Sequence, residues 1–254
     1  MQSIVILGTG NVAKHLFDAF INQNKIEITQ VYGRKKESVH YFGEHIEITT
    51  DLSTIADADI YLIAVSDDAI AAVSKKLEHK KGLIVHTSGS MGINELPINN
   101  KRGVFYPLQT FSFGKSVDFK EIPICIEALN EDDYARLNKL ALSISNRVFR
   151  INTKQRKALH LAAVFANNFT NHIYHLSKEI CTQNNVSFEL LHPLIKETAK
   201  KVQELSPYEA QTGPARRNDV GTLEKQLNQL KDKNHKNIYS ILSKSIQKTY
   251  GEKL

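Results

Sequence analysis

Cysteine is scarce in this sequence: there are two among 254 residues, Cys125 and Cys181, far apart and in no CxxC arrangement. That spacing offers neither a disulfide framework nor a zinc knuckle, and it points to a reducing cytoplasm as the expected address. Long hydrophobic runs are missing as well. The longest apolar stretches, such as 60–65 and 3–7, fall well short of the roughly 20 residues that span a bilayer, and no apolar leader core precedes them. No membrane association is therefore expected. Repeats and low-complexity tracts are also absent, and the composition is not that of collagen, a coiled coil or a disordered chain. With 41% hydrophobic and 24% charged residues, the balance is that of an ordinary globular protein. The length suffices for one large domain or two smaller ones without disulfide staples.

Acidic residues are in slight deficit, 27 Asp plus Glu against 33 Lys plus Arg, for a net charge of +6. A basic excess can attract polyanions. Here it is dispersed over clusters such as Arg34-Lys35-Lys36, Lys75-Lys76 and Lys200-Lys201 with acids nearby, and no basic stripe interleaves with aromatics. A small anionic ligand fits this pattern better than nucleic acid, which is not expected as a partner.

The first 151 residues alternate short β-rich runs with helical patterns, the signature of βαβ units and a parallel sheet. Strands are expected at 3–7, 27–32, 47–49, 60–65 and 83–86, and further ones at 104–106, 123–127 and 146–151. Helices are expected at 12–22, 67–77 and about 132–144. From residue 153 onward only helical periodicity remains, at 153–183, 187–205, 221–230 and 236–250. The fold class is thus α/β: a dinucleotide-binding domain with a parallel sheet over 1–151, then an all-helical domain over 152–254 that carries the substrate cleft and dimer contacts. On the long helix, Leu159, Ala162, Ala166, Phe169, Ile173, Leu176 and Ile180 follow a 3-4-3-4 spacing suited to close helix packing. Either an intrachain core or a dimer interface accounts for that seam, and a homodimer is the expectation.

The first strand runs directly into Gly8-Thr9-Gly10-Asn11-Val12-Ala13 and a helix. This is GxGxxA in the context that gives it meaning: strand, tight turn, helix start. Gly8 permits the turn, Gly10 lets the backbone approach a pyrophosphate, and Ala13 allows close helix–strand packing. Free amides of Asn11 and Val12 at the positive end of the helix would bind the phosphates. At the end of the second strand, where folds specific for NAD carry an acid, this chain has Gly33-Arg34-Lys35-Lys36. Arg34 lies 34 − 10 = 24 positions after Gly10. A guanidinium clamps a 2′-phosphate that a carboxylate would repel, so NADP(H) is the expected cofactor, with Arg34 and Lys35 as its contacts.

Three further segments follow strand ends: Ala64-Val65-Ser66-Asp67-Asp68-Ala69-Ile70, Val85-His86-Thr87-Ser88-Gly89-Ser90 and Tyr106-Pro107-Leu108-Gln109-Thr110-Phe111-Ser112. In the second half stand Leu161-Ala162-Ala163-Val164-Phe165-Ala166-Asn167-Asn168-Phe169 and Thr212-Gly213-Pro214-Ala215-Arg216-Arg217-Asn218-Asp219. With the glycine motif these resemble the Rossmann-like NADP oxidoreductases that carry a C-terminal helical domain of unknown function. That group is similar in turn to pyrroline-5-carboxylate reductase, deazaflavin-dependent NADP reductase and ketopantoate reductase. The resemblance spans nearly the whole chain and implies an NADP-linked reductase; it brings no substrate with it. The lysine and asparagine pair used by hydroxyacid dehydrogenases does not carry over, because Lys157 is followed four residues later by Leu161.

Ligands of open α/β sheets bind at the carboxyl ends of the strands. Ser66, Asp67, His86, Thr87 and Ser88 are therefore expected beside the cofactor, although Ser66 and Asp67 equally suit helix N-caps. His160, Asn167 and Asn168 on the long helix are candidates for protonating and orienting a carbonyl or imine, with His86 opposite. A polar interhelix network would use the same residues. Arg216 could grip a substrate carboxylate, and Asp219 is a good N-cap. Two YxxxK matches, at 32–36 and 174–178, lack the short-chain dehydrogenase context. His172, His175 and Glu179 have metal-ligand spacing without a fourth ligand, so no metal is expected. The function read from the sequence is NADPH-dependent reduction of a small keto acid or imine, and the competing reading is a non-catalytic dinucleotide sensor.

Overall fold

The computed structural model describes residues 1–44 and 46–251. Its centre is an eight-stranded sheet formed by β1 (Gln2–Leu7), β2 (Ile26–Tyr32), β3 (Glu47–Thr49), β4 (Ile60–Ile63), β5 (Leu83–His86), β6 (Arg102–Pro107), β7 (Ile124–Ala128) and β8 (Val148–Arg150). The strand order is β3-β2-β1-β4-β5-β6-β7-β8. The order reverses direction between β1 and β4, and this switch point opens the crevice where doubly wound sheets bind dinucleotides.

Side-chain alternation puts apolar residues on both faces, as a sheet covered twice requires. Ile4, Ile6, Leu62 and Val85 join one core, which α1 (Asn11–Phe20) and α4 (Glu131–Ile144) cover with Leu16, Phe17, Phe20 and Leu137. Val5, Leu7, Ile63 and Ile84 join the other, against Ile70 of α3 (Asp67–Lys75). Full burial of such a side chain is worth roughly 1.5–3 kcal/mol. A short α2 (Lys36–Gly43) lies between β2 and β3.

One pairing departs from the parallel sheet expected from the sequence, since β7 runs antiparallel to β6. The connection at 108–123 contains only the 3-10 turn Phe119–Glu121 and no crossover helix, which a parallel return requires. With α4 supplying a crossover, β8 pairs parallel to β7.

Two compact units divide the chain, Met1–Asn168 and a second beginning at Phe169. The change to helical texture at residue 151 therefore precedes the division. Helix α5 (Thr153–Ala163) stays with the sheet because Leu159 packs against the Val104 and Tyr106 cluster and because Arg156 is wholly buried there. The expected helix at 153–183 is interrupted by a π-helical turn at Val164–Phe169 before α6 (Thr170–Gln183) resumes. The 3-4 spacing of 159–180 thus does not lie along one regular α-helix.

The second unit is all-helical, with α6 followed by α7 (His192–Glu204), α8 (Pro207–Ala210), α9 (Val220–Gln229) and α10 (Lys233–Tyr250). Asp219 caps α9 by accepting from the Thr222 amide at 3.0 Å. Glu179 accepts from His235 Nε2 at 3.0 Å, while the His172 and His175 rings stack on each other. Leu190, Leu194 and Ile241 remain 71%, 61% and 66% exposed.

Candidate functional site

Strand β1 ends at Gly8, whose φ of +132° is a conformation L side chains rarely adopt. A Cβ there would stand 2.1 Å from the Ala64 carbonyl oxygen at the end of β4, so only glycine fits. Gly10 precedes α1 in extended backbone, and a Cβ at this position would meet nothing within 4 Å. It offers no capping side chain, and among the described residues the amides of Asn11 and Val12 donate to no acceptor. Free donors at the positive end of a helix make an anion seat.

A cavity of about 740 Å³ opens over this turn, bordered by Gly8, Gly10, Asn11, Val12, Arg34 and Ser66. Arg34 follows β2 and pairs with no carboxylate among the described residues. Exposed Ser66 precedes α3 without capping it. Thr87, Thr110, His160, Asn167 and Asn168 border the same space.

Two of the residues expected at the cofactor, Lys35 and Ser88, do not border this cavity. Lys35 immediately precedes α2, its carbonyl accepting from the Ser38 hydroxyl at 2.8 Å. The Ser88 hydroxyl is occupied by the amides of Ser90 and Met91, at 3.1 and 3.0 Å, so it shapes its own turn. Asp67 likewise accepts from the Ser90 hydroxyl.

His86 does not border this cavity either. Its exposure is 0%; Nε2 lies 3.2 Å from the Gly92 carbonyl oxygen and Nδ1 accepts from the Ser88 amide at 3.2 Å. One acceptor and one donor define a neutral ring protonated on Nε2. Burial, reinforced by the Arg156 charge, pushes its pKa down to about 4. The expected catalytic imidazole is therefore a clasp between β5 and the turn after it.

His160 is different. Its Nδ1 lies 3.0 Å from the hydroxyl of Tyr106, at the end of β6. Burial pushes that hydroxyl up to about 12, so it keeps its proton at neutral pH, and His160 is its sole acceptor among the described residues. A buried donor needs its acceptor, so when the Tyr106 hydroxyl donates to Nδ1 the ring carries its proton on Nε2. The ring packs on Gly89, where a Cβ would stand 2.5 Å from Nδ1.

Arg156, one turn earlier on α5, holds this arrangement. It donates to the carbonyls of Ser88, Gly89 and Met91 at 3.0, 3.2 and 2.6 Å, and to Glu127 Oε2 at 3.0 Å. Glu127 also accepts from the Thr153 amide and hydroxyl. A second cavity, of about 410 Å³, shares His160, Asn167, Asn168, Gln109 and Thr110 with the first. Within the helical unit, Arg216 donates to the carbonyls of Glu209 and Gln211 and lies over the Tyr250 ring.

Comparison with known proteins accords with this geometry. Residues 3–88 match the family described as NADP oxidoreductase, coenzyme F420-dependent, and residues 122–246 match a domain of unknown function, DUF2520. A candidate NADP oxidoreductase of Bacteroides fragilis is 42% identical, with a TM-score of 0.89 over 97% of this chain and 98% of that one. The chain belongs to this family of NADP oxidoreductases. A Thermotoga maritima protein, 23% identical, shares the fold with a TM-score of 0.74 over 98% of each chain. A Plasmodium falciparum pyrroline carboxylate reductase with NADP bound, 16% identical, does so with a TM-score of 0.63 over 96% of this chain and 98% of that one. No curated protein matches the chain.

Three polar residues at the second cavity lacked a sequence-assigned role: Tyr106, Gln109 and Thr110. Gln109 and Thr110 follow β6 just as Ser66 follows β4, and Tyr106 stands near the end of β6 itself, so the strand-end rule could have found them. Tyr106 was hidden by its place in an apolar strand, where a tyrosine looks like core.

Proposed function

We propose that the protein is an NADPH-dependent reductase of a small carbonyl compound or imine. The observation that carries this reading is His160 on the edge shared by the dinucleotide cavity and its neighbour, held at Nδ1 by Tyr106, which borders the second cavity. The free amides of Asn11 and Val12, the open space at Gly10 and the unpaired Arg34 all fit a dinucleotide with a 2′-phosphate. When bound, that cofactor supplies a hydride to the substrate carbon and leaves as NADP⁺. As the π pair of C=O or C=N moves onto the heteroatom, the imidazolium form of His160 gives that pair its Nε2 proton and is left as the neutral ring. Tyr106 keeps the imidazole in place throughout, since a hydroxyl donates to Nδ1 of the neutral ring and accepts from Nδ1–H of the charged one. Asn167 and Asn168, bordering both cavities, would orient the reacting atom.

Measuring NADPH oxidation over a panel of ketones, keto acids and imines tests the reading. His160→Gln should lower turnover about 10²–10⁴-fold, the usual loss with a general acid, and leave NADPH affinity and Tm intact. Unchanged turnover would return His160 to packing. NADPH binding without turnover of any panel member would leave a cofactor-binding sensor.

The protein acts in the cytoplasm as a homodimer in this reading. Both cysteines are free, and no described helix is long and apolar enough to cross a membrane. Exposed Leu190, Leu194 and Ile241 support self-association through the helical unit. Light scattering at micromolar concentration should give twice the monomer mass; a monomer would exclude the dimer.

A further inference from the structure

We infer that the second cavity takes the body of an uncharged, compact hydrocarbon ketone, aldehyde or imine, and that it selects against substrates carrying a carboxylate. The inference rests on the reductase reading and specifies the substrate class, in place of the keto acid expected from the sequence. Its basis is how polarity is distributed over the cavity wall. Leu108, Leu159, Ala162, Ala163 and Val164 form the far part. Every polar group at the cavity is uncharged or an imidazole, and no lysine, arginine, aspartate or glutamate borders it among the described residues.

The polar groups are also sorted in space. His160, Asn167, Asn168, Gln109 and Thr110 belong to the edge shared with the dinucleotide cavity, whereas the aliphatic residues border only the second one, together with Tyr106, whose hydroxyl is engaged by His160. A C=O or C=N at the shared edge meets hydrogen-bonding partners, and what is attached to it enters hydrocarbon. A carboxylate there would lose water without gaining a cation, the least favourable way to bury a charge. The π-helical turn Val164–Phe169 contributes to both sides of this division, with Val164 in the apolar part and the two asparagines at the edge; such turns recur at functional sites.

Matched compounds test the inference: a cyclic imine with and without a ring carboxylate, and a branched 2-oxo acid against its methyl ester. With NADPH, kcat/KM should be at least tenfold higher for the uncharged member of each pair, and preference for the carboxylates overturns the inference while keeping the reductase. Binding is read separately, as the Tm of the NADP⁺-saturated protein with cyclohexanol or cyclohexanecarboxylate. Cyclohexanol alone should stabilise. Stabilisation by the carboxylate, or by neither, overturns the pocket assignment. Stabilisation by cyclohexanol with no turnover of any pair overturns the reductase reading instead and leaves the pocket as assigned. Ala162→Arg, which places a cation in the wall, should shift the preference at least tenfold toward the carboxylates; an unchanged ratio shows that another part of the protein selects substrate.

Discussion

Arg156 and Glu127 form an ion pair at 3.0 Å in which the guanidinium has no exposure to solvent. The same guanidinium satisfies three carbonyls of the turn after β5, so its loss leaves both a largely shielded carboxylate without its cation and unpaired backbone. Breaking such a pair on one side costs about 3–5 kcal/mol. Arg156→Met should therefore lower Tm by roughly 10 °C in a chain of this size. Adding Glu127→Leu should recover part of that, and only part, because the carbonyls remain unsatisfied. Scanning calorimetry of the two variants decides it: equal Tm values would mean that the carboxylate was never a burden.

Arg34→Ala should weaken NADPH and leave NADH unchanged. A charge-assisted contact is worth about 1.5–3 kcal/mol, or roughly ten- to a hundredfold in Kd. Titration calorimetry with both cofactors reads this, and equal losses for the two would place Arg34 away from the 2′-phosphate.

His86 should make the fold acid-sensitive within a defined window. The unfolded chain takes up a proton near the ordinary pKa of 6.5, whereas the folded ring resists until about 4. Between those values the unfolded state holds the extra proton, so stability falls as pH falls and levels off below the lower one. At 1.36 kcal/mol per pH unit the full effect is about 3 kcal/mol. Urea unfolding at pH 7 and pH 5 should show a steeper decline for the parent than for His86→Gln; parallel declines would remove His86 as the cause.

Gly89→Ala should disable chemistry without unseating the cofactor. The added methyl would press on His160 Nδ1 and on Tyr106, at 2.5 and 2.8 Å, and the imidazole must move. Turnover should drop about 10²-fold or more, as for loss of the acid itself, with the NADPH Kd unchanged. Tyr106→Phe should cost less, about tenfold, because the ring loses its anchor but not its place. If Gly89→Ala retained full activity, the position of His160 would be irrelevant to the reaction.

The sheet was readable because buried strands are written as short apolar runs between glycines and helical patterns, and Ile60–Ile63 and Leu83–His86 obey that rule. The direction of β7 was not, since alternation in 124–128 is the same whichever way the strand runs. The π-helical turn escaped for a related reason: the 3-4 spacing continues through Val164–Phe169 unbroken, and a wider turn leaves no mark on a periodic pattern. The roles of His86 and His160 hinge on information that spacing lacks. Residues at a strand end are placed along the chain by the strand rule, but whether a ring turns into the protein or toward the ligand depends on neighbours such as Gly92 and Tyr106, distant in one case by 54 positions.

Gly8 has a consequence for how this lineage could change. The hydrogen that serves as its side chain is all that the approach of β1 to Ala64 can accommodate, so the residue that opens the phosphate seat is also one the sheet needs in order to close. A descendant that gave up its cofactor would be obliged to keep Gly8. Decay would show first at positions the fold does not require, Arg34 and Ser66, while the glycine turn persisted as a fossil. Surviving glycines in a distant homologue therefore testify to architecture, and the residues around them to use.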